Sequence, residues 1–154
     1  LQLLKNSNIT LKNGTIVAED AKIVIQNYSN LTLDNVKIEG KGINQYLLSN
    51  NYGNIVLKNN TKISAQKGMV AFDLYYGMAS AYDAGVTVTI ADSSVVIEGP
   101  IEYGKAARAS EEDFVAKCKL ITPRGYVLDI PDGYEWTDNG NGTQTLTKIA
   151  TTSS

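Results

Sequence analysis

Asn8–Asn13 reads N-I-T-L-K-N, and nearly the same phrase returns as N-L-T-L-D-N at Asn30–Asn35, N-I-V-L-K-N at Asn54–Asn59 and T-V-T-I-A-D at Thr87–Asp92. Each copy alternates aliphatic residues with small or β-branched ones, the period of a strand with one buried face, and closes on Asn or Asp, the chemistry of a turn. The copies begin at residues 8, 30, 54 and 87, spacings of 22, 24 and 33. Self-similarity at such periods marks a coiled or arrayed architecture. Hairpins would pair neighbouring strands antiparallel through tight turns, whereas here equivalent residues return only after a whole cycle, so like is expected to lie over like in parallel. Asn13, Asn35, Asn59 and Asp92 then form a structural column. Asn tolerates the left-handed backbone of a sharp bend, and its amide can bond to the cycles above and below.

Around the first copy, Leu3 and Leu4 read as the remnant of an earlier strand, and Ile9 and Leu11 share one face. Asn13-Gly14 is expected to break that strand, Thr15–Val17 to start a second and Lys22–Ile25 to form a third, before a turn at Gln26–Ser29. The second cycle repeats this with Leu31, Leu33, Val36 and Ile38, a Gly40-Lys41-Gly42 corner and Gln45–Leu48. The third has Ile55, Leu57, one extra residue after Asn59, then Ile63 and Met69–Leu74; the fourth has Val88, Ile90, Val95 and Ile97. Tyr28 and Tyr52 each stand two residues before an opening Asn, so stacking in register places one over the other at about 4.8 Å. The cycle is interrupted at Tyr75–Gly85, Y-Y-G-M-A-S-A-Y-D-A-G.

After Pro100 the composition changes. Ser110 with Asp113 has the form of a capping box ahead of Phe114, Val115 and Ala116, which predicts one short helix over about Ser110–Lys117, with Cys118 packed as a small apolar residue at its end. Tyr126–Ile130, a Pro131-Asp132-Gly133 turn, and a hairpin of Tyr134–Thr137 with Thr143–Ile149 follow. A coil stack needs a terminal cover for its last apolar rung, and Phe114 with Trp136 suits that role. The expected organisation is coils over 1–105, a cap of helix and hairpin over 106–149, and a tail over 150–154.

Composition excludes more than it assigns. The 154 residues carry 43% apolar and 19% charged side chains with a net charge of −2, a folded chain without the positive field that nucleic acid requires. Histidine is absent and Cys118 is the only cysteine, which removes Ser-His-Asp and Cys-His catalysis, an intrachain disulfide, and imidazole or cysteine metal sites. No stretch approaches a membrane span, and the chain opens at Leu1 without a leader, so it is expected to be part of a longer chain. N-x-S/T triplets at Asn8, Asn13, Asn27, Asn30, Asn59 and Asn141 read as turn asparagine followed by strand threonine or serine rather than as glycosylation sites.

Three short strands per cycle with an Asn column resembles the right-handed parallel β-helix of the pectin-lyase-like superfamily over roughly residues 3–105. S-N-I-T-L-K-N-G-T-I from Ser7 and S-N-L-T-L-D-N-V-K-I from Ser29 are similar to β-helix segments of large secreted or surface proteins of bacteria. G-Y-E-W-T-D-N-G-N-G-T-Q-T-L-T-K from Gly133 resembles segments that close repeats in gut-bacterial surface proteins. The resemblance implies an all-β fold, a right-handed parallel β-helix of about four coils with a C-terminal helix and hairpin cap. That superfamily includes lyases, hydrolases, phage tailspikes and non-catalytic adhesins, so the fold is specified and the activity is not.

A lyase on this scaffold needs clustered acids for Ca²⁺ and an Arg or Lys base, and the family's hydrolases use paired carboxylates. The carboxylates read as scattered, with no pair on adjacent cycles of the same strand; Asp73 with Asp83, plus Lys105 or Arg108, is the best acid–base set. Asp138, Asn139 and Asn141 form an incomplete Ca²⁺-loop pattern and read as a hairpin turn. No catalytic residue, metal or cofactor is therefore assigned. Loops grafted on a repeat carry specificity, and Tyr75, Tyr76, Tyr82 and Asp83 suit a sugar ring and its hydroxyls, unless the tyrosines only cover the flank of the coil. The expected function is a non-catalytic extracellular or cell-surface bacterial module, a spacer or adhesin with polysaccharide or host glycan as partner, the alternative being a polysaccharide lyase or glycoside hydrolase.

Overall fold

The computed structural model describes residues 1–42, 46–66, 68–77 and 85–149. In chain order the strands are β1 (Gln2–Leu3), β2 (Asn8–Ala18), β3 (Ile23–Asn27), β4 (Asn30–Gly40), β5 (Tyr46–Asn50), β6 (Gly53–Lys58), β7 (Lys62–Ser64), β8 (Val70–Tyr76), β9 (Val86–Ile90), β10 (Val96–Glu98) and β11 (Ile101–Lys105). The helix α1 (Glu111–Lys117) follows, and then β12 (Cys118–Pro123), β13 (Tyr134–Asp138) and β14 (Thr143–Lys148). The fold is all-β with one short helix.

Among the described residues two sheets form, and neither closes on itself or on the other. A five-stranded parallel sheet runs β1-β3-β5-β8-β11. In the nine-stranded sheet β2 pairs β4, the first half of β4 leads through β6 and β9 to β12, and its second half leads through β7 to β10, all in parallel. Among the described residues the antiparallel pairs are those of β14, which lies against both β12 and β13.

The registers put like on like. Ile9, Leu31, Ile55, Val88 and Leu120 form one file of Cα partners, and Leu11, Leu33, Leu57 and Ile90 a second. Ile16, Ile38, Ile63 and Ile97 form a third. On the smaller sheet the file is Ile25, Leu48, Phe72 and Ile101. From the second copy onward most of these side chains are buried, and each contributes about 1.5–3 kcal/mol of transfer free energy.

Asn13-Gly14 does not break the first strand. Asn13 takes φ 57° and Asn35 φ 55° inside continuous strands of 11 residues, so the chain bends without leaving the ladder. In the third copy the extra residue leaves both Asn59 and Asn60 left-handed, and the strand splits into β6 and β7. The buried Thr61 fills the gap: its hydroxyl accepts from the Val36 N–H at 3.2 Å and lies 2.8 Å from the Lys58 carbonyl.

The end of the chain differs in part from expectation. Ser110 caps α1 by accepting from the Asp113 N–H at 3.1 Å. Cys118 does not merely end the helix; it opens β12, which adds a further parallel strand beside β9, with Leu120 completing the apolar file. Three apolar residues in C-K-L-I-T-P, Cys118, Leu120 and Ile121, carried that signal. Tyr126–Ile130 forms no strand. The cover is built from Phe114, whose ring lies 5.0 Å from Tyr103, and from Tyr134, edge-on to Tyr103 at 5.1 Å, with Trp136 half-buried beside the core.

Candidate functional site

Along β8 the side chains alternate: Phe72, Leu74 and Tyr76 are buried, while Asp73 and Tyr75 lie on the opposite face. Successive residues of a strand point to opposite faces, so Tyr75 and Tyr76 cannot act together. Tyr75 is 42% exposed and Tyr76 only 2%. Tyr76 is a core residue, and the expectation that both belong to an inserted loop is corrected. Tyr82 and Asp83 lie outside the described residues.

The outward face of the five-stranded sheet carries its own file, with Gln2, Gln26, Ser49, Asp73 and Glu102 as successive Cα partners. Asp73 and Glu102 are therefore a carboxylate pair on adjacent rungs, about 4.8 Å apart at the backbone, which overturns the reading that no such pair recurs. Their signal was two matching triplets, F-D-L at 72–74 and I-E-Y at 101–103, hidden by the uneven lengths of chain between them. The Tyr46 hydroxyl donates to Glu102 Oε1 at 3.4 Å. Burial pushes the Asp73 carboxyl up; the Ser49 hydroxyl pulls it back and the Glu102 charge pushes it further. The Glu102 charge likewise raises the Tyr46 phenol. Asp73 Oδ1 is buried without a hydrogen-bond partner.

Two residues along from Asp73, Tyr75 lies beside Gly104 on β11. A Cβ at Gly104 would meet nothing within 4 Å among the described residues, and Tyr75 is itself exposed. The face thus offers an aromatic surface, the Glu102 carboxylate and the Tyr46 hydroxyl on one side of a regular sheet. Lys105, weighed as a base, donates instead to the Ala109 carbonyl at 2.8 Å, and Arg108 is exposed.

The Asn column is direct in its first step and relayed afterwards. Asn35 Nδ2 donates to Asn13 Oδ1 at 3.0 Å. The extra residue of the third copy turns the Asn59 amide onto Asp34 Oδ1, 3.0 Å away, while the Asn59 backbone N–H donates to Asp92 at 3.0 Å and holds that carboxyl below its ordinary range. Two further files escaped sequence reading. Asn54 donates to Asn30 at 2.8 Å and Asn30 to Asn8 at 3.0 Å along the exposed corner. Inside the corner Asn27 donates to Asn50 at 3.1 Å, both fully buried. Burial also removes Asn27 as a glycan acceptor.

Other concavities lie elsewhere on the described residues. A cleft of about 120 Å³ is lined by Tyr28 and Tyr52 with Asn30 and Asn54, and the Lys5 ammonium stands 5.9 Å from the Tyr52 ring centre. A larger one, about 340 Å³, lies under α1 and the hairpin, floored by Tyr103, Phe114, Cys118 and Leu146. The Cys118 thiol is pushed up to about 12 by burial, which makes it a poor nucleophile. In the hairpin turn, Asp138 Oδ1 accepts from the Gly140 N–H and Asn141 Oδ1 from the Thr143 N–H, at 2.8 and 3.2 Å. Among the described residues no three His, Cys, Asp or Glu side chains converge as metal ligands. Nor is any helix there long and apolar enough to cross a membrane.

Compared with family models, curated proteins and solved structures, the chain matches none.

Proposed function

We propose that the chain is a segment of a right-handed parallel β-helix that serves as a non-catalytic module of a secreted or surface-attached bacterial protein, a stiff spacer or adhesin that binds glycan. Support for the coil comes from the in-register parallel pairing of every copy, and for its hand from the strong right-handed preference of parallel crossovers. The observation that carries the binding reading is the outward face at Tyr75. An exposed aromatic ring with a carboxylate and a hydroxyl on one rigid face suits the apolar side of a pyranose and its equatorial hydroxyls. A glycan array probed with the purified chain and with its Tyr75→Ala and Glu102→Gln variants tests this. Binding that falls at least about 10-fold in both variants, or about 1.4 kcal/mol, supports it; no binding, or binding indifferent to Tyr75→Ala, counts against it.

The Asp73–Glu102 pair favours one second reading, glycoside hydrolysis with Asp73, whose carboxyl burial pushes up, as the acid. Geometry weighs against it: the unpaired Asp73 oxygen is buried, and a general acid must reach the glycosidic oxygen. Release of reducing ends from polysaccharide by the parent chain, abolished in Asp73→Asn, would establish this second reading instead.

A further inference from the structure

The two ends of the stack are finished differently. At the far end Leu120 and Ile101 are buried under the cap. At the near end Ile9, Leu11 and Ile16 stand in the same files as fully buried neighbours yet are only half-buried, and Leu1, Leu4 and Val17 are 66%, 62% and 48% exposed. Among the described residues β2 pairs only with β4. Asn30 N–H donates to the Ser7 carbonyl at 2.9 Å, so by the alternation of a parallel ladder Ile9 and Leu11 bond toward β4, while Thr10 and Lys12 turn their N–H and C=O groups to the open edge. An 11-residue edge strand without Pro is a template for a further strand.

Two observations specify what fits it. The exposed amides run one way, Asn54 to Asn30 to Asn8 and Asn35 to Asn13, so that Asn8 and Asn13 accept from the stack and donate to no described residue. The outward file Lys58, Asp34, Lys12 alternates in charge and ends on a cation. We infer that this edge is an interaction surface for one more coil of the same repeat, a parallel strand with aliphatic residues over Ile9 and Leu11, an Asn or Asp accepting from Asn8 and Asn13, and a carboxylate facing Lys12. The inference rests on the observed pairing of β2 with β4 and is independent of glycan binding.

The registers define the test. Gln2 pairs with Gln26 and Gln26 with Ser49, so Leu1 occupies the position of Leu48, and a copy of residues 30–47 fused directly before Leu1 supplies the missing coil with Asp34 over Lys12. Amide hydrogen exchange at Thr10 and Lys12 is expected to slow at least about 10-fold in this fusion, with a raised Tm, and the same fusion carrying Asp34→Lys in the added coil is expected to gain less. Unchanged exchange at Thr10 and Lys12, or equal gains from both fusions, overturns the inference. So does sedimentation of the unfused chain as a dimer with those amides already protected, which would assign the edge to a second copy.

Discussion

Asn27 and Asn50 are buried one over the other inside a corner of the stack, whereas Asn13 and Asn35 stand exposed one over the other at a bend within long strands. Both pairs are matched residues of neighbouring parallel strands or their ends, joined by a hydrogen bond between side-chain amides of about the same length. Their surroundings differ. Asn27 also donates to the Ser29 carbonyl at 2.9 Å and accepts from the Ser29 N–H at 3.1 Å, and Asn50 donates to the carbonyls of Gly53 and Thr87 at 3.3 and 3.1 Å. These side chains satisfy backbone groups that the corner has withdrawn from water, so their hydrogen bonds are obligatory. Asn13 and Asn35 sit at φ 57° and 55° in solvent, where water can replace a lost amide bond and the residue is selected for its backbone conformation. The same letter in the same repeat is a polar keystone in one file and a conformational choice in the other.

The comparison is broken most directly at Asn50. Asn50→Ala leaves the Gly53 and Thr87 carbonyls without their side-chain partner and is expected to cost about 3 kcal/mol in urea unfolding; a loss under about 1 kcal/mol would mean the buried file is dispensable. Gly53→Ala attacks the same corner from its backbone. Its Cβ would stand 2.4 Å from the Ser29 carbonyl oxygen at φ 86°, and a cost of about 2 kcal/mol is expected from the clash and the left-handed conformation together. The exposed file is expected to answer weakly and in a different order. Asn35→Ala should cost about 1 kcal/mol through its positive φ, while Asn35→Gly should be within about 0.5 kcal/mol of the parent. If Gly proved as costly as Ala, the amide bond to Asn13 and not the backbone would be what the site requires.

The smallest effect concerns pH. The folded Asp73 carboxyl lies above its ordinary range, so the folded state holds this proton more tightly than the unfolded chain. Its contribution to stability is full below the ordinary aspartate range and is lost as pH rises through the folded value. Asp92, held low by the Asn59 N–H, acts with the opposite sign, losing its contribution as pH falls. Comparing Asp73→Asn with the parent cancels Asp92. The melting temperature of the variant relative to the parent should increase from pH 4 to pH 7; a flat difference would remove Asp73 from the account.

What could be read in the sequence was whatever repeats locally. The alternating phrase that closes on Asn or Asp carries its own period and its own turn residue, so β2, β4, β6 and β9 were visible, and with them the files through Ile9 and Leu11. The capped helix was visible for the same reason, because Ser110 and Asp113 are three residues apart. The carboxylate pair was not visible. Asp73 and Glu102 become neighbours only once the chain between them has been folded, and nothing near either residue announces the other. Adjacent tyrosines such as Tyr75 and Tyr76 suit one aromatic patch only on a loop, where both rings can face outward; a strand sends one to each side. Asn27 and Asn50 carry no local signal of burial, which depends on the neighbouring parallel strands.

Everything above depends on equivalent segments lying in parallel register, and NOE spectroscopy of the isotope-labelled chain reads that directly. Leu31 is expected to show inter-strand contacts from its Hα and amide protons to the residues flanking both Ile9 and Ile55, the pattern of a parallel ladder on each side. Strong Hα–Hα contacts, the mark of antiparallel pairing, or no contact between Leu31 and those two strands, would contradict it.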